Sequence, residues 1–127
     1  MKTRVLVADD SRVVRRIIVD MLRDFGVGEI VEAQNGNEAV SAFQKNKFDF
    51  VVVDWQMPGK CGLEVIEEIR DMGSEVPIIM VTGTGTHNQH IVTAVEAGVT
   101  DYLLKPFDPS VLREKLCKYC DLEPASV

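Results

Sequence analysis

Asp9-Asp10, Asp54, Thr82 and Lys105 share one feature: each directly follows a short apolar run. The runs are "RVLVA" (4–8), "FVVV" (50–53), "PIIMV" (77–81) and "DYLL" (101–104); a fifth, "EIVEA" (29–33), leads into Gln34. Three carboxylates brought together repel one another, which raises their pKa values or calls for a cation. Magnesium takes oxygen ligands in octahedral geometry, so two or three carboxylates plus a main-chain carbonyl suit it. A lysine adds a positive point charge, and a threonine hydroxyl can donate to an anionic oxygen. A carboxylate nucleophile, a divalent cation, a lysine and a hydroxyl donor together describe phosphoryl transfer onto an aspartate. Taken singly, each residue has a plain structural role: Asp10 or Ser11 as a helix cap, Asp54 and Thr82 as strand-end polar groups, Lys105 as a solvated lysine before a turn. The chemical reading needs all of them in one place.

The elements between them supply that place. Val, Ile and Leu dominate the five runs with little polar alternation, the pattern of strands covered on both faces. Helical periodicity lies between and after them. Val14, Ile17, Ile18, Met21, Leu22 and Phe25 define a first helix that Gly26 stops. Ala39, Val40 and Phe43 mark a second, capped by Asn35 and Glu38, and Ile66, Ile69 and Met72 a third. Thr86-His87-Asn88-Gln89 has capping-box spacing and opens a fourth, with Ile91, Ala94 and Val95 inward. Asp108-Pro109 opens a fifth, with Leu112, Leu116 and Tyr119 inward. Strand and helix alternate five times across short connections, which predicts an α/β fold, a five-stranded parallel sheet with helices on both faces. In an open parallel sheet all strands point their carboxyl ends to one edge, where ligands bind. The five polar side chains should therefore converge there.

Composition fits a single domain with a substantial core: 127 residues, 46% hydrophobic and 27% charged. A net charge of −6 argues against direct contact with nucleic acid or an anionic membrane through bulk charge. Arg12, Arg15, Arg16 and Arg23 of the first helix read as a solvated face. No run is long enough to span a bilayer, and "MKTRVLVADD" lacks the features of a secretory signal. Three cysteines, Cys61, Cys117 and Cys120, have no framework spacing, which suits a reducing cytoplasm. Cys117-x-x-Cys120, without a second pair, reads as packing.

"VLVADDS", "VVVDWQMPG", "IIMVTG" and "YLLKPF", in that order, make the chain resemble the receiver domains of bacterial two-component response regulators. The resemblance covers essentially the whole chain, with residues 1–122 as the receiver and 123–127 as a tail or the start of a linker. "DW-MP", "SRVVRRII" and "AVEAGVTDYLLKPF" look nearest the single-domain chemotaxis members. It implies a flavodoxin-like (βα)5 fold with strand order 2-1-3-4-5. It also implies that Asp54 takes a phosphoryl group from a sensor histidine kinase or phosphotransfer protein. Asp9, Asp10 and Asp54, with the main-chain carbonyl of Gln56, would hold Mg2+, for which Mn2+ could substitute. Thr82 and Lys105 would contact the phosphoryl oxygens, Tyr102 would act with Thr82 as the switch, and the Lys105-Pro106 peptide would be cis. The implied product is a changed surface over the fourth helix, fifth strand and fifth helix. That surface would control a separate partner, an output domain or a phosphorylation-dependent dimer. The protein would be a signalling switch, catalysing only its own phosphorylation and dephosphorylation.

Some positions depart from the family's pattern. Cys61 in "MPGKCG" stands where an acidic or amide residue is expected. The segment from Thr82 to Lys105 is one residue longer than the family's pattern, with the extra residue falling in "GTGTHNQH"; Thr84 is the expected flank of the phosphoryl group beyond Thr82. His87 and His90 sit near the carboxyl edge of the sheet at helical spacing but have no third metal ligand, and read as surface residues. One competing function is an aspartate-nucleophile phosphohydrolase of the haloacid dehalogenase kind. It would want an Asp two residues after the nucleophile, where this chain has Gln56. A receiver that binds partners without phosphorylation is the other, against which the full set of site residues counts.

Overall fold

The computed structural model describes residues 3–83, 88–105 and 107–120. Thr84, Gly85, Thr86, His87, Pro106 with its peptide bond to Lys105, and the tail lie outside the described residues, as does the Cys120 side chain. Strands and helices alternate through the chain: β1 (Arg4–Ala8), α1 (Arg12–Asp24), β2 (Glu29–Ala33), α2 (Gly36–Lys45), β3 (Phe50–Asp54), α3 (Gly62–Asp71), β4 (Ile78–Thr82), α4 (Asn88–Ala97), β5 (Asp101–Leu104) and α5 (Pro109–Cys120). The strands pair in parallel in the order β2-β1-β3-β4-β5. Both expectations for the sheet hold. Three boundaries shift by a residue: β3 includes Asp54, and β4 begins at Ile78 and ends on Thr82.

Alternate strand residues feed two cores. Leu6, Val51, Val53, Ile78 and Met80 face α2, α3 and α4, where they meet Ala39, Val65, Ile66, Ile69 and Ala94. Val5, Val7, Phe50, Val52, Ile79 and Val81 face α1 and α5, against Ile18, Val19, Leu22, Leu112 and Leu116. This period of two explains the apolar runs, since both faces of the central strands are buried. The fully buried β3 is held on both sides, so its end is a rigid mount.

Three inward assignments are corrected. Ile17 of α1 is exposed and Val19 is fully buried in its stead; Val95 of α4 and Met72, the C-cap of α3, are also exposed. An i, i+3, i+4 pattern describes a stripe wider than the line along which a helix touches a sheet. α1 meets the sheet along Ile18, Val19 and Leu22, which leaves Ile17 on the flank. There it lines an apolar groove with Val14, Ile18, Met21 and Phe107, reaching Gly83 and Lys105.

The helix ends follow the local chemistry. Ser11, not Asp10, caps α1, its hydroxyl accepting the Val14 N–H at 3.3 Å. Asn35 caps α2 by accepting the Glu38 N–H at 2.8 Å. Asp108 accepts the Ser110 N–H at 2.9 Å at the start of α5. Gly26 follows α1 with φ 92°, a conformation glycine adopts without strain.

Candidate functional site

The carboxyl ends of β1, β3, β4 and β5 bring the polar residues to one edge. Carboxylate oxygens of Asp9, Asp10 and Asp54 lie within 4.8 Å of one another. Asp9 is 1% exposed, Asp54 7% and Thr82 2%, the buried polar side chains of an otherwise apolar interior among the described residues; Asp10 stands at the exposed rim. From β5's end, Lys105 places its Nζ 3.2 Å from Asp9 Oδ2 and 3.5 Å from Asp54 Oδ2. Thr82 ends β4 one position beyond Val81, the register partner of Asp54, and its carbonyl accepts the Lys105 N–H at 2.8 Å. Asp9 Oδ1 accepts the Ser11 N–H at 2.8 Å, so one Asp9 oxygen serves the start of α1 while the other meets Lys105.

Burial pushes the Asp54 carboxyl up to about 6, with the negative charge of Asp9 next in importance. Lys105 and the Gln56 N–H pull the other way without cancelling that rise. The site therefore carries more negative charge than Lys105 offsets. A small divalent cation would relieve it, and the donors on offer are the oxygens such a cation prefers.

The floor of the site is packed backbone to backbone. The Trp55 N–H donates to Val81 O and the Gly62 N–H to Trp55 O, both at 2.9 Å. A Cβ on Gly62 would collide with the Asp54 carbonyl and come within 2.9 Å of the Trp55 Cα. Cys61 takes the N-cap position of α3, which accounts for the acidic or amide residue expected there. Tyr102 lies on β5 beside Met80, 37% exposed.

Two residues that read from the sequence as surface side chains are tied into the site. His90 of α4 stacks on Trp55, with ring centroids 5.2 Å apart and an interplanar angle of 25°. Arg15 belongs to no solvated face: its side chain is 13% exposed and its Nη1 donates to the Asp9 carbonyl at 2.8 Å. Helical spacing puts all four α1 arginines on one side of the helix, and only the tertiary fold sets Arg15 apart. No local signal marks His90 either, because its partner is 35 residues away and on another element.

Fold and site together define a class, a doubly wound α/β domain with an acidic pocket at the carboxyl edge of its parallel sheet. The family model described as the response regulator receiver domain matches residues 5–117, and the chain belongs to that family. It is 39% identical to the chemotaxis protein CheY-3 of Vibrio cholerae over 117 residues, covering 91% of this chain and 89% of that one. Identity to the chemotaxis protein CheY of Pseudomonas aeruginosa is 38%, over 91% of this chain and 94% of that one. Among solved structures, the Vibrio cholerae chemotaxis protein CheY4 superposes with a TM-score of 0.86 at 31% identity, covering 94% and 99% of the two chains. A receiver domain protein from Methanospirillum hungatei superposes with a TM-score of 0.89 at 26% identity, over 95% of each chain. The chain is thus a receiver domain of a two-component response regulator, a family of phosphoacceptor signalling switches acting with histidine kinases or phosphotransfer proteins and downstream targets. Its acidic cluster matches the magnesium pocket general to that family. Among the described residues no helix is long and apolar enough to cross a membrane.

Proposed function

We propose that Asp54 is the phosphoacceptor. The observation that carries this reading is a buried carboxylate at the end of the central strand, grouped with Asp9 and Asp10 and 3.5 Å from the Lys105 ammonium. An ionised Asp54 oxygen attacks phosphorus of a phosphohistidine on a histidine kinase or phosphotransfer protein. A P–O bond forms as the P–N bond breaks, and the bonding pair leaves with the imidazole, which takes up a proton. With Asp54 titrating near 6, the nucleophile is largely ionised at neutral pH. Lys105 offers its ammonium to a phosphoryl oxygen, and the Thr82 hydroxyl can donate to another. Asp9, Asp10 and Asp54, with the main-chain carbonyl of Gln56, would hold Mg2+ or Mn2+. The bound cation supplies charge neutralisation at the phosphoryl oxygens during transfer.

The acyl phosphate adds roughly −1.5 to −2 of charge at the site. Drawing Thr82 toward it opens space beside β5, which the Tyr102 ring fills by moving inward. Burying a ring of that size removes on the order of 150–250 Å2 from water, enough to bias two near-balanced conformers. The surface of α4, β5 and α5 then changes for a partner protein, an output domain or a second copy. In this reading the receiver is residues 1–122, residues 123–127 are a tail or the start of a linker, and the protein works in the cytoplasm. The half-buried free thiols of Cys61 and Cys117 fit that reducing setting.

Incubation with acetyl phosphate tests the chemistry. Labelling should require Mg2+ or Mn2+, and replacing Asp9 and Asp10 together should abolish that requirement along with efficient labelling. Equal labelling in a chelator would refute it.

A further inference from the structure

We propose that Arg15 is a positioning residue for the acidic site, holding the Asp9-Asp10 main chain so that the Asp10 carboxylate stays beside those of Asp9 and Asp54. The inference rests on the metal-binding reading above and concerns a residue that does not touch the cation.

Arg15 differs from its neighbours on α1. Arg16 reaches Asp20 at 3.9 Å, with both side chains 62% exposed. Arg15 instead forks between two acceptors: Nη1 donates to the Asp9 carbonyl at 2.8 Å, and Nε donates to Glu32 Oε1 on β2 at 3.0 Å. The Asp9 N–H donates to Ala33 O at 3.1 Å, continuing the ladder between β1 and β2. In a parallel ladder the next donor, to the Asp9 carbonyl, would be the N–H of residue 35. By then the chain has left the sheet: β2 ends at Ala33, the Gln34 N–H goes to Glu38 Oε1 at 3.2 Å, and Asn35 caps α2. The Arg15 guanidinium supplies the donor that the strand does not, and Glu32 holds the guanidinium in place.

Asp10 is the next residue after that bonded carbonyl. Among the described residues no hydrogen bond or ion pair holds its side chain, so its place in the cluster depends on its main chain. A planar fork with two N–H groups at fixed spacing can meet Asp9 and Glu32 together; a lysine ammonium on a flexible stem cannot reproduce it.

The proposal separates from simple charge by its sign. Arg15 is a cation near a cation site, so removing it should strengthen metal binding if Coulomb's law alone acts. Loss of positioning acts in the opposite direction.

Mg2+ should be titrated into the whole chain and followed by calorimetry and by Trp55 fluorescence, with circular dichroism and urea unfolding reporting the fold. Arg15→Lys and Arg15→Met should each bind Mg2+ about tenfold more weakly than wild type, the usual scale for partners that orient metal ligands. Glu32→Gln should weaken binding in wild type and add nothing in the Arg15→Met background. Folded Arg15→Lys and Arg15→Met proteins with wild-type or tighter affinity would overturn the proposal, and so would an undiminished effect of Glu32→Gln in the Arg15→Met background. Asp10→Asn separates this from failure of the metal reading. If it leaves Mg2+ affinity unchanged, that reading falls and takes the inference with it. If it weakens binding while the Arg15 variants do not, only the inference falls.

Discussion

Replacing Asp54 by Asn should make the metal-free protein more stable at neutral pH while removing the phosphoacceptor. The folded chain pushes the Asp54 carboxyl from 3.8 up to about 6, chiefly through burial and then through Asp9, whereas the unfolded chain leaves it at the ordinary value. The folded state therefore holds the Asp54 proton more tightly. Because the shift is upward for an acid, stability falls as pH rises from about 4 to about 6, and the full penalty applies above that window. The difference between about 6 and 3.8, at about 1.36 kcal/mol per unit, amounts to about 3 kcal/mol. Asparagine never ionises and escapes that penalty, which already includes the attraction of Lys105, so the expected gain is up to about 3 kcal/mol. At roughly 4 °C per kcal/mol for a chain of this size, thermal unfolding should move upward by several degrees. Urea unfolding in a chelator would measure the gap near neutrality and again near pH 4.5, where it should shrink to about one third. Saturating Mg2+ should return about 2.7 kcal/mol to wild type at about 100 times its Kd, closing most of the gap. An Asn variant less stable than wild type at neutral pH, or a gap indifferent to pH, would refute the reasoning.

Lys105→Met removes the ammonium lying 3.2 Å from Asp9 and 3.5 Å from Asp54. It should raise Mg2+ affinity several-fold yet slow phosphorylation, a split that titration beside labelling kinetics would reveal. Gly62→Ala drives a Cβ into the Asp54 and Trp55 backbone, which cannot swing aside as a side chain can. Urea unfolding should show a loss of about 3 kcal/mol. Thr82→Ala should still be phosphorylated but should not pass the signal on. With beryllofluoride as phosphoryl mimic, amide shifts in wild type should extend over residues 83–119, and in the variant they should contract toward Asp54. A wild-type pattern confined to the neighbours of Asp54, with Tyr102 unmoved, would contradict the switch.

The sheet and its functional edge were legible in the sequence for one reason. Strands buried on both faces must be apolar along their length, so the first polar residue after each run marks the strand's end. Asp54 shows the small error in that rule: it is still paired within β3, because a buried carboxylate among other polar groups need not break the ladder. The corrections come from contacts that local patterns do not encode. Ile17 and Val95 satisfy helical spacing, but the line of helix–sheet contact is set by twist and by the neighbouring helix. Arg15 reads as one of four similar arginines until α1 is laid beside the end of β2. His90 reads as a surface residue until its ring is seen stacked on Trp55.

The central claim is that one carboxylate among three takes the phosphoryl group, and locating that group on the chain tests it most directly. The protein would be phosphorylated with acetyl phosphate and Mg2+, and the acyl phosphate reduced with borohydride, which converts a phosphorylated aspartate to homoserine. The modified peptide would then be sequenced by mass spectrometry. The account predicts a single homoserine, at position 54. Modification at Asp9, Asp10 or any other residue, with Asp54 intact, would contradict it.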